Sequence, residues 1–148
     1  MRAVIQRVSQ AKVVVDKIEQ GKINNGFLIL VGVEEDDNFE DVKYLSRKIA
    51  NMRIFEDSEG KMNHSLKKVD GEILSVSQFT LHADTKKGNR PSFVKAADGN
   101  HAINLYEKLN KSLKKEGISV KTGTFGADME VSLVNDGPVT ILIDSKDK

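Results

Sequence analysis

The chain contains no cysteine. Disulfides, thiolate nucleophiles and cysteine-ligated zinc are therefore excluded, and the composition fits a reducing compartment. It also lacks an excess of either charge: 23 Lys and Arg face 22 Asp and Glu, a net charge of +1. No overall field drives it toward DNA or a membrane surface, so any nucleic-acid contact must come from a local patch. No apolar run approaches the ~18 residues that cross a bilayer. Met1 to Arg7 lacks the roughly 7–15-residue apolar stretch of a secretion signal, so the expectation is a cytoplasmic protein with no membrane partner. Histidine occurs only as His64, His82 and His101, with neither HxH nor HExxH spacing. These read as scattered surface residues, and no metal site or other cofactor is expected. GxSxG elbows and GxxxxGK[ST] phosphate loops are missing too. A Ser-His-Asp triad stays open, because its members need not be neighbours in sequence.

What is present is the material of one domain, residues 1–148, with 39% hydrophobic and 30% charged residues. Met1 to Val8 and Ala11 to Asp16 read as strands, and Lys22 to Asn24 as a third. The turn signal Asn25-Gly26 then leads into Phe27 to Val33, a continuous apolar run typical of a strand covered on both faces. Short turns among these favour antiparallel pairing. Asp36 and Asp37 are candidate caps for a helix from Asn38 to Asn51, striped by Val42, Leu45 and Ile49. Met52 to Phe55 reads as a short strand, followed by a polar stretch anchored by Leu66 and Val69. A second helix runs from Gly99 to Glu116 on Ala102, Leu105, Leu109 and Leu113, with Gly117 as its stop. Ile118 to Lys121, Met129 to Leu133 and Val139 to Ile143 complete the strands, and Asn135 to Pro138 reads as the break between the last two. The charged tail from Asp144 is expected to fray. The class is α+β, one domain rich in β structure with two main helices.

The stretch Ser75 to Leu81 stands out. It looks like a buried strand, yet Ser75, Ser77, Gln78 and Thr80 put four polar side chains into seven residues. A buried polar group without a partner costs about 1–3 kcal/mol, so the run needs internal pairing or a ligand. The basic loop His82 to Pro91 follows, and a polar strand end opening onto a loop is a good place for a site. Lys86, Lys87 and Arg90 could contact phosphates of a single-stranded nucleic acid, or the loop is an ordinary solvated one. Thr80 is the natural nucleophile, but no activating base sits at a telling distance. If the chain is an enzyme, backbone dipoles and positioning must carry the chemistry. Gly137-Pro138 reads as a hairpin turn, and since X–Pro is cis in only about 5–6% of cases, trans is the default.

Ser77-Gln78-Phe79-Thr80-Leu81 and Asn135-Asp136-Gly137-Pro138-Val139-Thr140 resemble the paired signatures of the D-aminoacyl-tRNA deacylases, also called D-tyrosyl-tRNA deacylases. Met1 to Val8, Gly88 to Phe93 and Gly123 to Met129 fit the same family, so the resemblance covers essentially the whole chain. It implies a homodimer of β-barrel-like domains with helices packed outside. The implied reaction is hydrolysis of the ester joining a D-amino acid, and some glycine, to the 3′-terminal adenosine of tRNA. It further implies a cis Gly137-Pro138 inserted into the partner's active site to exclude L-amino acids. By the same resemblance, Gln78, Phe79 and Thr80 are catalytic, with backbone N–H groups near Phe79 and Thr80 holding the oxyanion, the 2′-hydroxyl of the adenosine helping to activate water, and the Thr80 hydroxyl positioning. Ser77 lines the pocket, Phe125 and Met129 lie near the adenosine, and Arg7 braces the partner's Gly-Pro pair. From the residues alone, plain core packing accounts equally for Phe125 and Met129, and an exposed strand charge for Arg7. The alternative reading is a non-catalytic nucleic-acid-binding module using the Lys86 to Arg90 loop.

Overall fold

Strand β1 (Arg2–Val15) is the spine of the computed structural model, which describes residues Met1–Lys148. Its first half pairs antiparallel with β3 (Gly26–Gly32) and its second half with β2 (Ile18–Ile23). Along its other edge runs β8 (Glu130–Asp144), also antiparallel. Beyond β3 the pairing turns parallel, to β6 (Glu72–Ser77) and then β7 (Ser119–Thr122). Parallel neighbours need long crossovers. One contains helix α1 (Phe39–Asn51) and the small hairpin of β4 (Arg53–Glu56) and β5 (Met62–Ser65); the other contains α2 (Gly99–Lys115). The sheet curls into a nearly closed barrel, bringing Lys121 Nζ within 2.8 Å of the Lys22 carbonyl across the gap.

The apolar run of β3 now has its explanation. Phe27, Ile29 and Val31 face a large core shared with α1 and α2, while Leu28 faces a smaller core of Val8, Val13, Ile23, Leu74 and Val76 inside the barrel. With both faces covered, the strand has no need of alternation. The helix stripes hold as read: Val42, Leu45 and Ile49 are buried on α1, and Leu105, Leu109 and Leu113 on α2. Leu66 is fully buried and anchors the polar stretch after β5.

Several expectations are corrected. The two opening strands are one, since the chain passes exposed Ser9 and Gln10 by shifting register against β8 instead of turning. Asn38, and neither Asp36 nor Asp37, caps α1: its side chain accepts from Glu40 N–H at 2.8 Å, and Asp41 returns the bond to Asn38 N–H. Asp37 instead accepts from Glu34 N–H and pairs with the Met1 amine. The strand expected through Leu81 stops at Ser77, because its partner β3 stops at Gly32 and the chain coils into a 3-10 turn, Phe79–His82. Asn135 to Pro138 is no break. It bulges from β8 opposite Arg7, and Asn135 Nδ2 donates to both the Arg7 and Val139 carbonyls (3.0 and 2.9 Å), so the ladder resumes beyond it. The Gly137–Pro138 bond is cis, against the default set by proline statistics.

The tail does not fray at once: Ser145 is buried and its N–H donates to the Met1 carbonyl. Arg2 Nε holds Asp144 at 2.9 Å, and Lys146 lies among Asp36, Asp37 and Asp41. Burial alone would raise the Asp144 carboxyl, but the Arg2 hydrogen bond and charge outweigh it and leave it below its usual 3.8. Asp41 is lowered in the same way, by Asn38 N–H, Ser145 and nearby cations acting against burial. Depressed carboxylates contribute stability that is complete above the unfolded value and lost as pH falls through the folded one. The thermal midpoint should therefore hold down to about pH 5 and decline below about pH 4. Asp144→Asn should lower the plateau and flatten that decline; an acid limb as steep as the parent's would show the pair contributes nothing.

Candidate active site

Four segments converge at the C-terminal end of β6. Gln78 N–H donates to the Val31 carbonyl at 2.7 Å, extending the β3–β6 contact by one residue before the 3-10 turn begins. The turn is pinned from two sides. Arg2 Nη1 donates to the Leu81 carbonyl at 2.9 Å, and His82 packs beneath Gly32. A Cβ on Gly32 would lie 3.0 Å from both the Gln78 oxygen and the His82 ring, so a larger residue there would have to push the turn or the ring aside by a few tenths of an ångström. His82 is thus buried, contrary to the surface role expected of it; neither ring nitrogen has a hydrogen-bond partner, and Glu34 Oε1 lies 3.4 Å from Nδ1. The first turn bond runs from Leu81 N–H to the Gln78 carbonyl, which leaves the Phe79 and Thr80 N–H groups outside the turn's own bonding.

Beside this turn lies a cleft of about 300 Å³. Val31 comes from β3 and Val33 from just beyond it, Val76 and Ser77 from β6, Gln78 and Phe79 from the turn, Ala102 and Tyr106 from α2, and Phe125 to Met129 from the loop before β8. Five of the residues singled out in the sequence therefore meet in one place: Ser77, Gln78, Phe79, Phe125 and Met129. Phe125 also packs on the main core, so its packing role and its place on the cleft wall coexist. Tyr106 backs it, ring centroids 5.9 Å apart, and donates its hydroxyl to the Ser75 carbonyl at 2.8 Å, tying α2 to β6. Burial raises the Tyr106 hydroxyl pKa above its usual 10.0, so it serves as a neutral donor. Asp128 is the only charged residue on the wall. The cleft is an apolar slot with a hydroxyl, an amide and backbone groups at one end, and no lysine, histidine or cysteine to act as base or nucleophile.

Thr80 does not line the cleft; it is exposed and accepts a hydrogen bond from Gln78 Nε2. Arg7, Gly137 and Pro138 are elsewhere too. Arg7 is only 5% exposed, not an open strand charge. Its Nη1 donates to the Ile54 carbonyl at 2.6 Å and its Nε to the Asp136 carbonyl at 3.2 Å, so it props up its own chain's Gly-Pro bulge. That bulge is exposed. Among wall residues, sequence reasoning missed Tyr106, Asp128 and the valines. Tyr106 adjoins Leu105 of the α2 stripe, which was its one available signal; the valines look like any core residue. Away from the cleft, Glu34, Asp36 and Asp37 bring three carboxylates together, but the Met1 amine and Lys146 already compensate them.

The comparisons decide the class. A family model described as D-Tyr-tRNA(Tyr) deacylase matches residues 4–144. The chain belongs to that family. A D-aminoacyl-tRNA deacylase of Bacillus pumilus is 58% identical over 147 residues, covering 99% of this chain and 100% of the relative. One of Clostridium novyi is 56% identical over 146 residues, covering 99% and 98%. Among solved structures, one named c-Myc DNA Unwinding Element Binding Protein superposes with a TM-score of 0.91 at 39% identity, covering 97% of this chain and 98% of that one. A probable eukaryotic D-amino acid tRNA deacylase shares the fold, with a TM-score of 0.82 at 18% identity over 96% and 97% of the two chains. Family membership makes this a hydrolase, a D-aminoacyl-tRNA deacylase acting on aminoacyl-tRNA. No helix is long and apolar enough to cross a membrane.

Proposed function

We propose that the cleft beside the 3-10 turn binds the 3′-terminal aminoacyl-adenosine of tRNA and that a second copy of the chain completes it. The observation that carries this reading is the separation within one chain: Ser77, Gln78, Phe79, Phe125 and Met129 share the cleft, while Gly137 and Pro138 stand exposed outside it. A homodimer would bring the two together. The free edge of β8 and its exposed Val134 and Leu142 are the kind of surface that another copy covers. Phe125 and Met129 would hold the adenine against an apolar wall, with Ser77 and Gln78 at the polar end.

In this arrangement the partner's Gly137 and Pro138 carbonyls accept from the substrate's α-amino group. With amino group and ester both fixed, a D side chain points outward, whereas an L side chain drives its Cβ into the Gly-Pro backbone. Glycine offers nothing to reject, so glycyl esters leak through. Exclusion of this kind can be stronger than the ~1–3 kcal/mol a pocket extracts from one methylene. Water, activated with help from the adenosine 2′-hydroxyl, attacks the ester carbonyl carbon. Phe79 and Thr80 N–H groups take the oxyanion. The tetrahedral intermediate collapses, the 3′-oxygen leaves with a proton, and free D-amino acid and tRNA result. Thr80 positions and forms no covalent bond. A tRNA substrate supports a cytoplasmic location.

Incubation with D-Tyr-tRNA and L-Tyr-tRNA tests the reading. Cleavage should favour the D ester by at least 100-fold, about 2.7 kcal/mol; equal rates refute chiral exclusion.

A further inference from the structure

We infer that the loop between Asp84 and Ser92 is a phosphate clamp for the RNA backbone immediately preceding the terminal adenosine. This deepens the deacylase reading and rests on it. The loop carries Lys86, Lys87 and Arg90, all exposed and none in an ion pair, with Lys95 just beyond. Its one acid, Asp84, is turned to a structural use, accepting from Lys86 N–H at 2.9 Å.

The loop's position makes the cations pertinent. Reciprocal bonds between Asp84 and Ser92 (2.7 and 2.9 Å) staple its base, so its charges are presented from a closed hairpin-like frame and do not trail from a loose chain. One foot leaves directly from the 3-10 turn. The other passes through Phe93, whose ring meets Phe79 edge-on at 5.1 Å, and Phe79 is itself a wall of the cleft. From there Ala97 N–H reaches the Val33 carbonyl at 2.9 Å, and Val33 is another wall residue. The basic loop is thus built onto the rim of the cleft. A chain whose last nucleotide enters the cleft and leaves it on this side passes the rim carrying one negative charge per nucleotide. Phe79, 58% exposed, adds a face on which a base can stack. Lys114 and Lys115, by contrast, are accounted for by the C-terminus of α2.

The test compares D-Tyr-tRNA with the D-tyrosyl ester of adenosine, using the full chain and the combined variant Lys86→Ala, Lys87→Ala, Arg90→Ala. On D-Tyr-tRNA, KM should rise by about tenfold or more with kcat nearly unchanged, and the salt dependence of kcat/KM should flatten by about 2 in log–log slope, from three lost single-strand contacts. Cleavage of the adenosine ester, which has no preceding phosphate, should match the parent. An unchanged KM on tRNA overturns the clamp, as does an equal loss on both substrates. A Lys114→Ala, Lys115→Ala variant with the same rise in KM overturns it as well, since binding would then be diffuse. If the parent cleaves neither ester, the deacylase reading fails first and takes the clamp with it.

Discussion

Gly137→Ala should cut kcat/KM on D-Tyr-tRNA by at least tenfold, about 1.4 kcal/mol, and narrow the preference for D over L esters. Gly137 has φ +126°, a conformation that side-chain-bearing residues rarely adopt. A Cβ there would lie 2.8 Å from Val139 Cγ2, 3.0 Å from Arg7 Nη2 and 3.2 Å from Val139 N. The bulge cannot accept it without moving, and a strained φ of this kind costs about 1–3 kcal/mol. Because the bulge is the proposed gate of the partner's site, displacement should affect chirality as well as rate. Thr80→Ala, on a residue outside the cleft wall, should cost only a few-fold. If the order of the two variants is reversed, Thr80 is a nucleophile after all. Thermal midpoints measured in parallel separate a displaced gate from a weakened fold.

Arg7→Ala should be the most destabilising single change near the site, by about 2–4 kcal/mol, because it leaves the buried Ile54 carbonyl and the part-buried Asp136 carbonyl without their donor. The Asp136 carboxylate, 3.4 Å from Arg7 Nε, is half exposed and adds little. Arg7→Lys should recover only part, since one ammonium cannot span two carbonyls that a guanidinium fork holds together. Urea denaturation gives the loss, and the D/L ratio of the folded fraction reports whether the bulge has shifted. A loss under about 1 kcal/mol would show that Arg7 does not brace the bulge.

The sequence carried the elements whose signals are local. Val42, Leu45 and Ile49 set one helix face and Leu105, Leu109 and Leu113 another, because helical period depends on near neighbours. The uninterrupted run Phe27 to Val33 announced a strand covered on both sides. The two signature stretches pointed to the family, and through it to Ser77, Gln78, Phe79, Phe125 and Met129 as companions. What the chain could not reveal locally were events set by a distant partner. Ser9-Gln10 and Asn135 to Pro138 look like breaks, but β1 and β8 run through them as register shifts, since each strand's continuity is decided by the other. The strand after Ser75 ends at Ser77 because β3 runs out, which nothing in residues 78 to 81 records.

Burial of Arg7 and His82 belongs to the same class. Alone, Arg7 is a charge on a strand; in the fold its guanidinium meets carbonyls from Ile54 and Asp136, far off in sequence. By itself the sequence determined the helices and the apolar strands, because these follow from composition and period, and its two signature stretches pointed by resemblance to the family and to five of the residues that line the cleft. Tertiary structure alone decided which of those residues touch, that the Gly-Pro bulge stands apart from its own chain's cleft, and that Arg7 supports it. Contacts between segments far apart in the chain come into being only when the sheet closes.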